Sequence, residues 1–176
     1  MLVILDRDGV INQDSPNYIR SPEQWHAIPG SLSAIASLKH AGHTVCVATN
    51  QSGIARGYFS LCTLSAIHQK MQQQLQHYNT SLDAIAFCPH VDSDHCQCRK
   101  PKPGLITQLQ QQYHTDNDNT WMIGDSLKDL QAAGAAGCQC ILVATGNGQR
   151  TYETNALNVP FYQDLKSAVD WLLSRP

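Results

Sequence analysis

Short apolar runs and amphipathic stretches alternate along the whole chain. Continuous apolar runs are typical of strands that are buried on both faces of a parallel sheet. Five such strands are predicted, at residues 2–5, 44–49, 82–87, 121–124 and 138–144. Apolar residues spaced three or four apart predict helices at residues 31–40, 61–78, 103–114 and 164–173, and one more after Ser126. This alternation predicts a doubly wound parallel α/β sheet in one domain, residues 1–176.

Two acidic residues stand where the first predicted strand ends. Leu5 runs directly into Asp6, and Asp8 and Gly9 follow. In open α/β sheets the chemistry gathers outside the carboxyl ends of the strands. Two carboxylates so close together need a cation, or one of them must hold a proton. We therefore expect Asp6 to be a nucleophile and metal ligand and Asp8 a proton carrier. The alternative is a surface turn or a calcium loop.

Complementary groups follow later in the chain. Residues 49–53, after the second strand, offer a hydroxyl, two amides and backbone N–H groups that suit phosphate oxygens. Asp125, after the fourth strand, can complete a magnesium site with Asp6. The basic segment 99–102 can neutralise a transferring phosphoryl group. Taken singly, residues 49–53 could equally be an ordinary turn, Asp125 a helix cap and the segment 99–102 a solvated loop. Their order on successive strand ends favours phosphoryl transfer.

A second metal site is predicted within a single loop at residues 88–98. Three thiols and an imidazole suit a closed tetrahedral zinc site, and they belong to Cys88, His90, Cys96 and Cys98. His95 is a rival ligand, and the alternative is four unrelated side chains. Such a site should organise the loop without performing chemistry. The other cysteines are expected in the core: Cys46, Cys62, Cys138 and Cys140.

The composition gives the chain no general reason to bind polyanions. The formal net charge is −2 and the isoelectric point is about 6.4, so neither nucleic acid nor a membrane surface is an expected partner. The first strand begins at residue 2, which leaves no room for a cleavable leader. Seven cysteines, an odd number, favour reduced thiols over a disulfide framework. We expect a cytoplasmic monomer that acts on a small molecule.

The combined segments resemble the haloacid-dehalogenase (HAD) superfamily of phosphotransferases, whose four motifs have counterparts over nearly the whole chain. They are most similar to its D-glycero-D-manno-heptose-1,7-bisphosphate 7-phosphatase and histidinol-phosphatase group. The matching segments are residues 6–12, 49–57, the Cys/His loop with 99–101, and 124–125 with Asp129. The resemblance implies a Rossmann-like HAD core. It also implies a role in heptose biosynthesis for lipopolysaccharide.

The resemblance implies a catalytic role for four residues. Asp6 forms an aspartyl-phosphate, and Asp8 protonates the leaving alcohol and then activates water. Thr49 and Lys100 steady the phosphoryl oxygens; Lys100 is chosen over Lys102 because it directly follows the arginine of the loop. Further substrate-binding residues are expected nearby: Asn50, Gln51, Ser52, Gly53, Arg56 and Arg99. Arg56 and Arg99 are suited to binding a second, non-reacting phosphate of the substrate. The alternative is that each arginine forms a surface ion pair.

The resemblance also assigns the metal ions. Mg²⁺ is held by Asp6, the backbone carbonyl of Asp8, and Asp125. We further expect Asp129 to bind the magnesium waters as an outer-shell carboxylate. The zinc of the Cys/His loop is structural in this group, although the gap between the two ligand pairs is short here. Ser126 stands where the heptose phosphatases commonly have lysine. That departure weakens phosphate anchoring unless Lys102 or Lys128 compensates.

Many HAD phosphatases cover the cleft with an inserted cap domain, which we do not expect in this chain. About two dozen residues separate Asp6 from the first helix, too few for an independent fold. The site is therefore open and shaped by the loops 12–30, 52–60 and 88–102. In the first of these loops, Arg20 and Trp25 are candidate substrate contacts, although a tryptophan packed on its own loop is an equal alternative.

The predicted function is a magnesium-dependent phosphatase that removes the 7-phosphate of a heptose 1,7-bisphosphate. Histidinol phosphate or another small phosphomonoester is the first alternative substrate. A nucleic-acid 3′-phosphatase is disfavoured because no basic surface accompanies the motifs. A phospho-acceptor signalling domain would carry its aspartate on a middle strand, where this chain has Thr49 and Asn50. Asp8, two residues from the nucleophile, also argues for turnover over storage of the phosphoryl group.

Overall fold

The computed structural model describes residues 1–175, which fold around one six-stranded sheet. All strands are parallel, in the order β3-β2-β1-β4-β5-β6. The strands are β1 (Leu2–Leu5), β2 (Thr44–Asn50), β3 (Ala84–Cys88), β4 (Thr120–Gly124), β5 (Gln139–Val143) and β6 (Phe161–Tyr162). The helices are α1 (Ser31–His40), α2 (Leu61–Gln76), α3 (Gly104–Gln112), α4 (Leu127–Ala136), α5 (Gly148–Thr154) and α6 (Leu165–Ser174). The doubly wound fold class is therefore confirmed.

Strand β1 lies in the middle of the sheet and carries the functional edge. Leu2 pairs with Thr44 of β2 on one side and with Thr120 of β4 on the other. Leu5 pairs in the same register with Val47 and with Ile123, so Asp6 lies near the carboxyl ends of both neighbouring strands. The Asp6 amide continues the ladder by donating to the carbonyl of Ile123 at 2.9 Å. This register brings the ends of three strands into one place.

The sheet separates two apolar cores, which explains why the strands are apolar without alternation. Val3 and Leu5 face the core under α1, α2 and α6, whereas Leu2 and Ile4 face the core under α3 and α4. All four side chains are completely buried. Burying an aliphatic side chain contributes roughly 1.5–3 kcal/mol, so both faces of β1 hold the functional edge in position.

The predicted elements are found with small shifts at their ends, and two elements were missed. The structure adds the seven-residue helix α5 and the two-residue strand β6. Two details were wrong. Trp25 is completely buried in the core, so it is not a substrate contact, and Cys62 is exposed at the start of α2 instead of lying in the core.

No cap domain interrupts the sheet within residues 1–175. The segment between β1 and α1 is loop with one 3₁₀ turn, Pro22–Gln24. The segment between β3 and α3 contains a second 3₁₀ turn, Asp92–Asp94. None of the helices in this part of the chain is both long and apolar enough to cross a membrane.

Candidate active site

A cleft of about 320 Å³ opens at the carboxyl ends of the central strands. Most of the predicted site residues line it: Asp6, Asp8, Thr49, Asn50, Gln51, Ser52, Arg99, Lys100 and Asp125. Gly53 and Arg56 lie outside the lining. Residues that were not predicted also contribute to the walls, among them Asp14, Ser15 and Tyr18 from the first loop and Asn147 from the loop after β5.

Asp6 lies at the floor of the cleft, and its side chain is 14% exposed. Its Oδ1 accepts from the Arg7 amide at 2.7 Å and lies 3.0 Å from Nζ of Lys100. Burial raises the pKa of the Asp6 carboxyl well above its usual range. Lys100 opposes this rise in pKa, whereas three neighbouring carboxylates add to it. The floor of the cleft thus carries more negative charge than its own cations neutralise.

Lys100 and Asp129 form a buried ion pair behind Asp6. Nζ of Lys100 is 2.6 Å from Oδ1 of Asp129 and also donates to the carbonyl of Ala48 at 2.8 Å. Burial lowers the pKa of Lys100, but Asp129 and Asp6 outweigh burial, and the net shift is upward. The other oxygen of Asp129 accepts from the amide and hydroxyl of Ser126. The lysine is therefore held as a cation beside Asp6.

Asp125 and Asp129 complete a group of three carboxylates with Asp6. One oxygen of each lies within 4.8 Å of the others. Asp125 accepts the Asn147 amide on Oδ2 at 2.7 Å. Among residues 1–175, none donates a hydrogen bond to its Oδ1. Burial, followed by the charge of Asp129, raises the pKa of Asp125 to about 7. Crowded hard oxygen donors, two of which (Asp6 and Asp125) have raised pKa values, fit a divalent cation such as Mg²⁺.

Gly9 permits the close approach that builds this group. Its φ is +86°, a backbone conformation that favours glycine. A Cβ at this position would lie 2.2 Å from Oδ2 of Asp125. The turn after Asp8 therefore packs directly on the carboxylate that follows β4.

Asp8 is surrounded by hydrogen-bond donors. Arg7 contacts both carboxylate oxygens, and the amides of Asn12 and Gln51 each donate at 2.9 Å. Burial raises the pKa of Asp8, but Arg7 and these donors outweigh it, and the net pKa is lowered. Asp8 is thus a carboxylate in the resting site. Asp6 and Asp8, two residues apart, have pKa values shifted in opposite directions, and these shifts are the reverse of those of an ionised nucleophile and a protonated acid. A cation bound beside Asp6 would lower the pKa of Asp6, and an anionic substrate beside Asp8 would raise the pKa of Asp8.

Polar residues at the end of β2 and directly after it make two separate sets of contacts. Gln51 donates to both Asp8 and Thr49, so it links the Asp8 carboxylate to the Thr49 hydroxyl. Asn50 instead exchanges two hydrogen bonds with the backbone of Lys100, at 3.0 and 3.1 Å. Its amide therefore positions the lysine loop. A Cβ on Gly53 would lie 2.2 Å from the Phe59 ring, so close packing requires this glycine.

A cationic rim surrounds the exposed carboxylate of Asp92. Arg99 donates to Asp92 at 2.7 Å and to the carbonyl of His90 at 3.2 Å. The pKa of Asp92 is lowered by this hydrogen bond and by the charges of Arg99, Lys128 and Arg56. Arg99 and Lys128 line the cleft, whereas Arg56 is exposed outside it. The rim can accept an anion at the mouth of the site.

The four predicted ligands of the second metal site come together. Their ligand atoms form a compact group in which the Sγ–Sγ distances are 3.2, 3.6 and 3.7 Å, and Nδ1 of His90 lies 3.4 and 3.5 Å from two of the sulfurs. In a tetrahedral site with metal–sulfur bonds of about 2.3 Å, two sulfur ligands are roughly 3.8 Å apart, slightly farther than the Sγ atoms of this group. His95, the rival ligand, does not belong to this group. The group can hold a metal ion.

Two neighbours of Asp8 were missed by the sequence argument. Arg7 is completely buried and lies between Asp6 and Asp8 in the sequence, and His68 on α2 contacts it at 3.3 Å. An arginine between two aspartates is a usable signal, since a cation next to a buried carboxylate is expected to pair with it. Nothing in the sequence singles out His68 from the polar face of its helix.

Comparisons with known proteins agree with this geometry. The HAD-hydrolase-like family model matches residues 97–168. The chain is 49% identical over 174 residues to the D-glycero-beta-D-manno-heptose-1,7-bisphosphate 7-phosphatase of Bordetella bronchiseptica, covering 98% of this chain and 97% of that protein. It is 51% identical over 150 residues to the same-named protein of Pseudomonas aeruginosa, covering 85% and 84%. A crystal structure of the B. bronchiseptica D,D-heptose 1,7-bisphosphate phosphatase, complexed with magnesium and phosphate, superposes with a TM-score of 0.95 at 49% identity, covering 98% and 97%.

Proposed function

Because the chain belongs to the heptose-bisphosphate phosphatase family of HAD hydrolases, we propose that it hydrolyses the 7-phosphate of D-glycero-D-manno-heptose 1,7-bisphosphate. The observation that carries this proposal is the meeting of Asp6, Lys100 and Asp125 at one sheet edge. A carboxylate nucleophile, a fixed cation and a hard-cation site are the groups that phosphoryl transfer needs, since positioning and charge neutralisation supply most of its catalysis.

In the first half of the reaction, a carboxylate oxygen of Asp6 attacks phosphorus and the bond to the sugar oxygen breaks. The electron pair of that bond goes to the sugar oxygen, which takes a proton from Asp8. The negative charge of the substrate raises the pKa of Asp8 when it binds, because like charges disfavour the ionised carboxyl. Thr49 and Lys100 hold the phosphoryl oxygens during transfer. The product of this half is the aspartyl-phosphate of Asp6.

In the second half, Asp8 returns as a carboxylate and takes a proton from water. The resulting hydroxide attacks the phosphorus, and the bond between phosphorus and Asp6 breaks. The lowered pKa of Asp8 keeps it ionised for this step. Gln51 supports the exchange because it hydrogen-bonds to both Asp8 and Thr49. Free phosphate leaves through the open cleft.

Magnesium is the cation that fits the acidic floor. Asp6, the backbone carbonyl of Asp8, and Asp125 would hold it, and Asp129 would act mainly through Lys100 and Ser126, which already occupy its carboxylate. When bound, it neutralises the negative charge that develops on the phosphoryl oxygens. The raised pKa values of Asp6 and Asp125 support this assignment, since a cation removes the repulsion that causes part of each shift.

Zinc is the metal that we propose for the Cys/His group. Three thiolates and an imidazole, with no open position, suit a structural zinc ion. The group immediately precedes Arg99 and Lys100, so a metal there would fix the direction of the loop that carries them. Lys102 adds to this by donating to the carbonyls of His95 and Cys96.

The cationic rim is the proposed site of the second phosphate. Arg99 and Lys128 reach the cleft, so the 1-phosphate of the sugar would replace Asp92 as their anionic partner. Lys128 would supply the positive charge that the family commonly places at Ser126. Arg56 would contribute through its charge alone. The assignment predicts a preference for bisphosphates over monophosphates.

The remaining assignments follow from the same chemistry. All seven cysteines are free of disulfides, as expected for a reducing compartment, and we place the enzyme in the cytoplasm. One sheet with two continuous cores supports a single domain over residues 1–176. We propose a monomer whose partner is a small phosphorylated sugar.

Phosphate release from a substrate panel tests the proposal. The panel contains both anomers of the heptose 1,7-bisphosphate, the heptose 7-phosphate and histidinol phosphate, each assayed with and without Mg²⁺. We expect Mg²⁺-dependent turnover with the highest kcat/KM for one bisphosphate anomer. Higher kcat/KM for histidinol phosphate would overturn the substrate assignment. Failure to release phosphate from any substrate, with a stable phosphoenzyme, would identify a phospho-acceptor domain instead.

A further inference from the structure

Arg7 is a buried charge whose direction is set from two sides. It is 0% exposed, although it lies between two aspartates at the floor of the cleft. Its Nε and Nη2 contact Oδ1 of Asp8 at 3.1 and 2.9 Å, and Nη2 also contacts Oδ2 at 2.9 Å. An arginine fork that grips a carboxylate in this way fixes the orientation of the carboxylate as well as its charge.

His68 holds the other end of the same guanidinium. Nη1 of Arg7 lies 3.3 Å from Nε2 of His68 on α2. Arginine carries only donors, so Nε2 must be the acceptor, and the imidazole must be neutral with its proton on Nδ1. Burial, followed by the charge of Arg7, lowers the pKa of His68 to about 4. The ring is held by an edge contact with Phe87, with the centroids 6.3 Å apart.

Asp8 therefore depends on a chain of contacts that begins on a helix outside the cleft. Asn12 and Gln51 each hold one oxygen of the carboxylate, but only Arg7 holds both. Removal of the His68 acceptor would leave a buried Nη1 group without this partner, and the guanidinium would gain the freedom to rotate. Rotation would move the fork away from Asp8, because Nε, Nη1 and Nη2 lie in one rigid plane.

We infer that His68 is a positioning residue, which acts through Arg7 to orient Asp8 toward the leaving group. This inference rests on the proposed role of Asp8 as the acid/base. His68 does not touch the substrate or the reacting atoms in this arrangement. Its effect should therefore depend on how much the reaction needs a well-aimed proton donor.

The leaving group provides the readout that separates positioning from general damage. A sugar alkoxide must receive the proton of Asp8 as the bond to phosphorus breaks. A nitrophenolate leaves readily without that proton. The value of kcat/KM reports the steps up to formation of the phosphoenzyme, so it excludes the later use of Asp8 on water. Loss of orientation should thus lower kcat/KM for the sugar phosphate and spare the aryl phosphate.

The experiment compares kcat/KM of the Mg²⁺-loaded enzyme on heptose 1,7-bisphosphate and on p-nitrophenyl phosphate. His68→Leu removes the acceptor and retains an apolar side chain against Phe87. His68→Gln restores an acceptor at a similar reach. Gln69→Leu is the matched control, because Gln69 is the exposed neighbour on the same helix. The ratio of the two kcat/KM values is unaffected by any unfolded fraction in a sample.

We expect His68→Leu to lower this ratio by about 10- to 100-fold, a part of the roughly 10²- to 10⁴-fold that general acid catalysis contributes, because Asp8 itself is retained. His68→Gln should recover most of the ratio, and Gln69→Leu should leave it unchanged. An unchanged ratio in His68→Leu, or equal loss in His68→Leu and His68→Gln, would overturn the inference. Asp8→Asn is the reference: if it lowers both kcat/KM values equally, the acid role of Asp8 in the proposed function fails, whatever His68 does.

Discussion

Nζ of Lys100 lies 2.6 Å from Oδ1 of Asp129, and the two side chains are 2% and 0% exposed. The same ammonium group lies 3.0 Å from Asp6, so one buried cation serves two carboxylates. Burial of both charges requires that each keeps its partner, since an isolated charge in the interior is strongly unfavourable. The pair therefore ties the stability of the fold to the position of the cation in the cleft.

Replacement of Asp129 by alanine should lower the free energy of unfolding by about 3 kcal/mol. This is the lower end of the range for breaking a buried pair, because Asp6 remains as a partner for Lys100. Urea titration measures the loss. Lys166→Ala, in an exposed pair with Asp170 on α6, is the control and should leave the midpoint nearly unchanged. Equal midpoints for wild type and Asp129→Ala would contradict the structural account of this pair.

Asp6→Asn should abolish phosphate release and leave the protein folded. The asparagine amide cannot form the acyl-phosphate. Without metal near pH 8, this variant should melt at or above the temperature of the wild type. The raised pKa of Asp6 means that the folded state disfavours its ionised form, so stability falls as pH rises and asparagine removes that penalty. Calorimetry and a phosphate assay on one preparation check both parts.

Asp8→Asn should lower kcat for the sugar bisphosphate by about 10² to 10⁴, the usual share of a general acid/base. Because water activation also needs Asp8, phosphoenzyme should accumulate. Rapid acid quench with radiolabelled substrate would detect it. A near-normal kcat would remove Asp8 from the mechanism.

Cys98→Ser should lose the metal of the loop and raise KM more than it lowers kcat. The loop would no longer aim Arg99 and Lys100, and residues 88–102 should become sensitive to limited proteolysis. Cys62→Ser is the control, because Cys62 is exposed and lies outside the metal group. Elemental analysis of protein purified without chelator should give about one zinc ion per chain. Absence of zinc in that protein would count against the assignment.

Arg99→Ala should raise KM for the bisphosphate by roughly tenfold, equivalent to about 1.4 kcal/mol, with little change for the 7-monophosphate. The guanidinium would contact only the non-reacting phosphate. Arg150→Ala, an exposed arginine on α5, is the control. Equal KM increases for both substrates would place Arg99 at the reacting phosphate instead.

His68 makes stability depend on pH. Its pKa is about 4 in the folded protein against about 6.5 in an unfolded chain. The unfolded state therefore binds more protons between these values, and stability falls as pH is lowered from about 6.5 to 4. The groups that face it, Arg7 and Asp8, are present in both proteins if wild type is compared with His68→Gln. Chemical unfolding at pH 7 and pH 5 should show wild type losing on the order of 2 kcal/mol relative to the variant.

The strand ends could be predicted because the apolar runs are long and end abruptly in polar residues. Once the sheet is parallel, Asp6, Thr49 and Asp125 must share an edge, and no further information is needed. α5 and β6 escaped prediction because neither is long enough to show a periodicity. The position of Lys100 also depends on Asn50, whose two hydrogen bonds to the lysine backbone are not encoded in any local pattern.

The ligand group of the second metal could be predicted because its residues are close in the sequence. The network around Asp8 could not, since it joins Arg7 on the first loop with Asn12, Gln51 and His68 from three other places. Trp25 shows the opposite error. Its loop does line the cleft, through Asp14, Ser15 and Tyr18, but the indole that was a candidate contact is buried in the core.

The central place of β1 constrains how the protein can be made. The residues of β1 leave the ribosome before those of β4, yet Leu2 pairs with Thr120, and Asp6 gains its neighbour Asp125 only when β4 has been synthesised. Pairings between distant segments form slowly, and exposed strand edges invite aggregation meanwhile. A nascent chain that stops before β4 would hold Asp6, the proposed nucleophile, on an unfinished sheet edge. On the proposed mechanism, phosphatase activity therefore requires that β4 has been synthesised, and products truncated before β4 should be inert.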